Sequence, residues 1–279
     1  MNERLYRGRL APSPTGYLHL GHARTFWIAW QRAKQNKGVL VLRNEDLDPD
    51  RCRSEYVQAM IEDLHWLGIE WQEGPMEGGP HAPYIQSQRL ALYRSAFVQL
   101  REGGFLYPCT CSRKDVQRAL QAPHAADDEP LYPGTCRHKS AFDIESAQRV
   151  NWRFRVPKRE SVEFVDGQLG KQVFDAGKDF GDFVVWRHDG IPSYQLAVMV
   201  DDAAMHITEV VRGTDLLVST ARQLLLYRSL QKTPPTFFHC PLMTDESGIR
   251  LAKRHDALSL RHFRAQGRAP SELLAMFKL

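Results

Sequence analysis

The chain has 279 residues, of which 43% are hydrophobic, and its formal net charge is +4. This length and apolar content argue against a disordered polypeptide and fit one large domain, or a core domain that carries an insertion. The sequence contains no run of about 18 apolar residues, and its charged N-terminus lacks the apolar segment of a signal peptide. We therefore predict a cytoplasmic protein that makes no membrane contact.

The charge and the cysteines narrow the function only slightly. A small positive excess fits a nucleic-acid partner, but it is also common in proteins that bind none. Five cysteines are an odd number in a chain without a secretory signal, which argues against a disulfide framework. Metal binding and simple burial remain as their two interpretations.

The first predicted elements form a strand, loop, helix, strand unit. Apolar segments at 5–11 and 39–42 are typical of short strands, and helical spacing lies between them from about Ala23 to Lys34. Further helical patterns occur at about 54–67 and 89–102. From Pro108 to Arg137 a segment rich in cysteine, proline and charge breaks the alternation, which indicates an insertion.

Strand patterns resume after the insertion. They lie at Trp152 to Val156, Ser161 to Val165, Phe183 to Trp186 and His206 to Val211, and the last leads into a helix that ends near Leu230. Interrupted alternation of strands and helices predicts an α/β fold with a parallel sheet and helices on both faces. Ligands of such folds bind at the carboxyl ends of the strands.

The loop after the first strand is the most informative segment. It places prolines, glycines and two histidines directly before a helix, whose N-terminus attracts phosphate through its backbone N–H groups and dipole. His19 and His22 add donors for the same anion, and Gly21 leaves room for a nucleotide against the backbone. An isolated His-x-Gly-His is more often a rigid turn with two surface histidines.

The whole loop, Ala-Pro-Ser-Pro-Thr-Gly-Tyr-Leu-His-Leu-Gly, resembles the signature loop of the glutamyl branch of class I aminoacyl-tRNA synthetases. The resemblance implies a Rossmann-type catalytic domain that uses ATP with Mg²⁺. It also implies that His19 and His22 are catalytic. The loop residues that it assigns to ATP binding are Pro12, His19, Gly21 and His22.

A second basic segment, Arg250 to Arg254, follows a polar turn late in the chain. By itself it would be an ordinary surface loop, but it is similar to the Lys-Met-Ser-Lys-Ser loop of the same family. The resemblance implies that Lys253 is catalytic and contacts the ATP phosphates as pyrophosphate leaves. Arg250 and Ala252 depart from the family pattern, so no role is carried over to them.

A substrate with a side-chain carboxylate needs a fixed cation, and guanidinium can hold it with two parallel hydrogen bonds. Arg9 and Arg212 are the candidates. The resemblance implies that Glu45 binds the substrate ammonium group, and that Tyr194 and an arginine bind its side chain. The complete implied glutamate pocket is Arg9, Ala11, Ser13, Glu45, Tyr194 and Arg212. Glutamine is the competing substrate, and a polar strand end at Glu45 with a structural ion pair at Arg212 is the simpler alternative.

Three cysteines, Cys109, Cys111 and Cys136, lie close together in the insertion and suggest tetrahedral zinc, with burial of reduced thiols as the alternative. Ordinary zinc chemistry nominates His138 or His124 as the fourth ligand. The resemblance points instead to Tyr132, because small paralogues of the family carry Cys-x-Cys followed by Tyr-x-x-x-Cys.

Few residues follow Arg254, so we expect no anticodon-reading domain. With the cysteine pattern, this is similar to the glutamyl-Q tRNA(Asp) synthetases, which attach glutamate to the queuosine base of tRNA(Asp). The implied partners are L-glutamate, ATP and tRNA(Asp) carrying queuosine, and we expect a monomer. A conventional glutamyl-tRNA ligase, which generally needs tRNA to activate glutamate, and a non-catalytic nucleotide-binding module are the alternatives.

The resemblance divides the chain into four parts. They are the first half of the Rossmann catalytic domain (1–104), an insertion with the zinc site (105–180), the second half of the catalytic domain (181–245), and the second signature loop with a short C-terminal helical segment (246–279).

Overall fold

The computed structural model describes residues 5–112, 131–138, 150–243 and 259–277. The strands are β1 (Arg7–Leu10), β2 (Val39–Leu42), β3 (Leu106–Cys109), β4 (Asn151–Phe154), β5 (Ser161–Asp166), β6 (Gly170–Asp175), β7 (Phe183–Trp186), β8 (Glu209–Gly213) and β9 (Thr236–Cys240). The helices are α1 (Leu20–Gln35), α2 (Ser54–Trp66), α3 (Leu90–Glu102), α4 (Tyr194–Ala204), α5 (Leu217–Ser229) and the short α6 (Leu260–Ala265) and α7 (Pro270–Ala275).

The strands form a parallel layer with an antiparallel extension. β1 pairs with β2, and β8 with β9, in parallel. β1 also lies beside β8, because the backbone N–H of Thr208 donates to the carbonyl of Arg7 at 2.9 Å. The hairpin of β5 and β6 joins this layer through β9, while β3, β4 and β7 form a separate antiparallel sheet. The α/β prediction is confirmed, and the predicted parallel pairing is present beside an antiparallel sheet that was not predicted.

Two apolar cores hold the helices against these sheets. One packs α1 and α2 against β1 and β2, whose last three residues are all buried, as expected for parallel strands covered on both faces. Arg32 of α1 also binds the carboxylate of Glu209 at 2.6 and 2.7 Å, which fixes this helix to β8. The second core packs α3, α4 and α5 against the antiparallel sheet and the β5 hairpin.

Some predicted boundaries differ from the structure for local reasons. The strand predicted from His206 begins at Glu209, because His206 adopts a left-handed backbone with φ of 54° that a strand cannot contain. The helix predicted from Ala23 begins at Leu20, so Gly21 and His22 belong to its first turn. Within the described ranges, no helix is long and apolar enough to cross a bilayer.

Candidate active site and metal centre

The loops that follow β1 and β2 lie side by side at the carboxyl end of the parallel layer. The backbone N–H of Glu45 donates to the carbonyl of Pro12 at 3.1 Å. Ala11 is half-buried and Ser13 is exposed on the same loop. The guanidinium of Arg9 donates to the carbonyl of Val211 at 2.9 Å. Residues predicted from three separate strands therefore meet at one edge, as the parallel arrangement requires.

A buried cluster of charges, which we call the Arg43 cluster, forms the floor of this edge. Arg43 is fully buried and contacts Asp202 at 2.6 Å, Glu45 at 2.9 Å and Asp201 at 3.6 Å. Arg9 adds a second cation 3.5 Å from Asp202. Burial raises the pKa of Glu45, and the Arg43 guanidinium partly offsets that effect. The contact with Arg43 fixes the Glu45 carboxyl group in place, and a further cation beside it would favour its charged form.

Arg212 lies at the end of β8 with its guanidinium fixed on three sides. It donates to Thr220 Oγ1 at 2.7 Å, to His239 Nε2 at 3.3 Å and to the Tyr194 hydroxyl at 3.4 Å. Arg212 is 4% exposed, whereas Tyr194 is 39% exposed, so the tyrosine stands at the open side of the arginine. The two predicted side-chain ligands are therefore brought together.

His239 lies behind Arg212 because β8 and β9 pair these two residues in register. Its Nδ1 is 2.6 Å from Asp166 Oδ2, and both side chains are buried. Burial, with the nearby Arg212 charge, lowers the pKa of His239 to about 4. The histidine is consequently neutral at physiological pH.

The two histidines of the first loop flank the start of α1. His19 immediately precedes the helix, His22 lies in its first turn, and their ring centroids are 6.2 Å apart. A Cβ added to Gly21 would meet no described atom within 4 Å, so the backbone there is open to a ligand. The residues of the second signature loop, Arg250, Ala252 and Lys253, lie outside the described residues.

The cysteine cluster forms a compact centre between β3 and segment 131–138. The sulfurs of Cys109, Cys111 and Cys136 all lie within 4.8 Å of one another and could hold a metal ion. The Tyr132 oxygen is 3.3 Å from the Cys109 sulfur and 3.6 Å from that of Cys111, and Cys111 and Cys136 are separated by 3.6 Å. Of the proposed histidines, His138 is exposed and His124 lies outside the described residues.

Three of these separations, at 3.3, 3.6 and 3.6 Å, are close to those around a tetrahedral zinc ion. Zinc about 2.3 Å from each sulfur and about 2.0 Å from an oxygen puts ligand atoms about 3.5 to 3.8 Å apart. The Tyr132 oxygen also accepts the Cys136 backbone N–H at 2.8 Å, which fixes this oxygen beside the sulfurs. Burial would raise the pKa of the Cys136 thiol, but hydrogen bonds from Tyr132 and from the Thr110 backbone lower it to about 7.

A buried arginine supports the centre from behind. Arg153 donates to the Cys109 sulfur at 3.3 Å, and its guanidinium lies 3.9 Å from the centroid of the Tyr132 ring. It also donates to the carbonyl of Asp182, whose carboxylate accepts from Tyr107 and Arg137. Such outer partners orient ligands and balance thiolate charge.

A family model described as tRNA synthetases class I (E and Q), catalytic domain, matches residues 6–279. The chain belongs to this family. The predicted resemblance and the ligase class are therefore confirmed, and the described fold is that of a class I synthetase catalytic domain.

Relatives of two kinds match the chain. A glutamyl-Q tRNA(Asp) synthetase from Symbiobacterium thermophilum is 47% identical over 96% of this chain and 84% of its own length. A glutamate–tRNA ligase from Nitrosococcus oceani is 41% identical over 98% of this chain but only 58% of its own. The solved glutamate tRNA ligase from Elizabethkingia meningosepticum, in complex with its amino acid, aligns with a TM-score of 0.78 and 30% identity over 90% of this chain. The chain spans 52% of that solved ligase.

Several residues that build the site were not singled out from the sequence. Arg43, Asp202, Thr220, His239 and Asp166 are all buried and polar. Arg43 and Asp202 did carry a usable signal, because charged residues inside otherwise apolar strand and helix patterns are rarely buried without a partner. No local pattern links Asp166 to His239, since 73 residues separate them.

Proposed function

We propose that this chain activates L-glutamate with ATP and Mg²⁺ to form glutamyl-adenylate, and then transfers glutamate to the queuosine base of tRNA(Asp). The observation that carries the activation step is the pocket with a buried guanidinium at Arg212 and a buried carboxylate at Glu45. A zwitterionic amino acid with a side-chain carboxylate presents the complementary charges. Glutamine lacks the charge that Arg212 would bind.

In the first step, an oxygen of the glutamate α-carboxylate attacks the α-phosphorus of ATP, and pyrophosphate leaves. In the second, a hydroxyl of the queuosine cyclopentenediol attacks the carbonyl carbon of the adenylate, and AMP leaves. Neither step needs a covalent bond to the protein. The residues contribute by positioning and charge, with His19, His22 and Lys253 at the phosphates and Glu45, Tyr194 and Arg212 at the amino acid.

Exchange of labelled pyrophosphate into ATP tests the activation step. The purified chain is incubated with ATP, magnesium and glutamate in the absence of tRNA, with glutamine and aspartate as controls. Exchange with glutamate alone is the expected result. Equal exchange with glutamine would overturn the assignment of the pocket, and no exchange with any amino acid, with or without tRNA, would favour a non-catalytic nucleotide-binding module.

The acceptor is tested separately, because relatives named glutamate–tRNA ligase also match the chain. Labelled glutamate is transferred to tRNA(Asp) with and without queuosine, and the product is digested with nuclease. Label in the anticodon-loop fragment, only when queuosine is present, supports the proposal. Label at the 3′ end would identify a conventional ligase that charges the acceptor end.

We also propose that Cys109, Cys111, Tyr132 and Cys136 bind zinc. The proposal is supported by the ligand distances, by the Cys136 N–H that fixes the Tyr132 oxygen beside the sulfurs, and by the buried cation at Arg153. Four protein ligands leave no open position, which is typical of structural zinc. The metal would tie β3 to segment 131–138.

Metal analysis of variants tests this site. We expect about one zinc per chain in the wild type, and loss of most of it in Cys111→Ser, because each ligand of a structural site contributes directly to affinity. Cys52→Ser is the matched control, since Cys52 lies outside the cluster. Tyr132→Phe decides the fourth ligand: retention of full zinc affinity by that variant would transfer the role to a histidine.

The open backbone at Gly21 gives a prediction for the ATP site. Gly21→Ala should raise the KM for ATP several-fold, because the added methyl group occupies space that the nucleotide needs. The same change should leave stability unchanged or raise it by up to about 1 kcal/mol, because alanine is favoured over glycine in a helix. Thermal melting and exchange kinetics measure both effects, and an unchanged KM for ATP would place the nucleotide elsewhere.

A further inference from the structure

Arg212 is the residue that we propose binds the substrate side chain, and the inference below rests on that proposed function. Three of its five N–H donors contact Thr220, His239 and Tyr194 among the described residues. The remaining two comprise one on each terminal nitrogen, so both terminal nitrogens keep a donor for a carboxylate. Binding therefore depends on how the other three donors hold the guanidinium plane.

The Asp166 carboxylate determines which nitrogen of His239 carries the proton. Its oxygens accept the backbone N–H groups of Gln168 and Leu169 at 3.0 Å, and that of His239 at 3.2 Å. Burial opposes the charge of Asp166, but these hydrogen bonds lower its pKa, so the group is an ionised acceptor. His239 Nδ1, 2.6 Å away, must then be the donor.

Once Nδ1 carries the proton, Nε2 of a neutral His239 presents a lone pair. That lone pair faces the Nε–H of Arg212 at 3.3 Å and the hydroxyl of Thr220 at 3.0 Å. The opposite tautomer would set two N–H groups against each other in a buried site, and an imidazolium would add a second cation beside the guanidinium. The neutral Nδ1–H form gives the Asp166 carboxylate a donor and the Arg212 Nε–H an acceptor at the same time.

We propose that Asp166 and His239 are positioning residues, which hold Arg212 through a fixed histidine tautomer so that its two remaining donors face the side-chain carboxylate of glutamate. Neither residue touches the substrate. The device joins the β5 hairpin to the pocket, because Asp166 ends β5, His239 lies on β9 and Arg212 lies on β8. A neutral His239 orients the buried Arg212 guanidinium without placing a second positive charge beside it.

The first test examines the wild-type protein and uses a variant only to assign its signals. Histidine-selective ¹⁵N labelling with NMR reports the tautomer of each ring, and the His239 signals are assigned by their loss in His239→Gln. We expect a neutral ring at pH 7 with a protonated Nδ1 and an unprotonated Nε2. A protonated Nε2 or an imidazolium in the wild type would overturn the inference.

The second test uses Asp166→Asn, which preserves the shape but replaces one acceptor by an NH₂ donor. If the amide oxygen keeps the turn N–H groups, the NH₂ faces Nδ1 and moves the ring proton to Nε2, against Arg212. We expect the changed tautomer together with a rise of about tenfold or more in the KM for glutamate, while the KM for ATP stays within about twofold. A switched tautomer with an unchanged KM for glutamate would overturn the inference.

Two further variants separate positioning from folding. His239→Gln keeps an acceptor oxygen within reach of Arg212, whereas His239→Leu removes it and preserves bulk. The leucine variant should show the larger rise in the KM for glutamate, and equal values would contradict the inference. If the wild type supports no glutamate-dependent exchange, the proposed function fails, whereas a wrong tautomer in an active enzyme overturns only this inference.

Discussion

Glutamate-dependent pyrophosphate exchange should fall by about two orders of magnitude or more in Arg212→Gln, because truncating a buried partner of a charge pair costs about 2–5 kcal/mol. The variant keeps a hydrogen-bonding side chain but removes the cation that would bind the substrate carboxylate. The loss should be expressed chiefly as a higher KM for glutamate, since this contact is made in the ground state as well as in the transition state. Exchange kinetics at varied glutamate measure it.

Arg228→Gln is the matched control. Arg228 lies on α5 and forms an ion pair with Glu160, and it is 62% exposed, so its removal should leave the exchange kinetics unchanged. A similar loss in both variants would indicate a general effect on folding. Full activity of Arg212→Gln would remove Arg212 from the pocket.

The free energy of unfolding should fall by about 3–5 kcal/mol in Arg43→Met, because breaking a buried ion pair leaves a charge without compensation. Here the change would leave Glu45 without its partner at 2.9 Å, whereas Asp202 keeps Arg9 and Asp201 keeps Arg89. Methionine preserves much of the side-chain volume, so the variant tests the loss of the charge without creating a large cavity. Urea titration of the wild type and the variant, followed by circular dichroism, measures the difference.

Arg53→Met provides the comparison. Arg53 contacts Glu55 at 3.7 Å, and both side chains are more than half exposed, so the pair is screened by solvent. Its loss should leave the urea midpoint unchanged. If Arg43→Met also left the urea midpoint unchanged, the charge of Arg43 would contribute no more stability than an apolar side chain of similar volume.

Local patterns predicted the elements that carry a strong apolar period. β1, β2, α2 and α3 lie where the sequence places them, within a few residues. β6 was not predicted, because all six of its residues are exposed or half-exposed on an edge hairpin and the alternation is weak. The antiparallel pairing of β3, β4 and β7 depends on contacts distant in sequence, which no local period reports.

The residues of the candidate site also differ in whether local sequence patterns could identify them. Arg9, Glu45, Tyr194 and Arg212 could be named because they accompany recognisable motifs, and the structure gathers them at one edge of the parallel layer. The groups that hold them could not be named, since Asp166 and His239 meet only through the pairing of β5, β9 and β8. Sequence patterns identify the residues that can contact a ligand. They are less informative about the residues that position those contacts.

The Arg43 cluster restricts how this pocket can diverge. The charges of its members balance one another in a buried site, so a lineage that changes one residue passes through a less stable protein unless a partner changes as well. Paired replacements, such as an arginine and a carboxylate lost together, are the accessible routes. A substitution that alters the amino-acid preference of such a pocket therefore also alters the stability of the fold. Substitutions on the exposed surface do not have this effect.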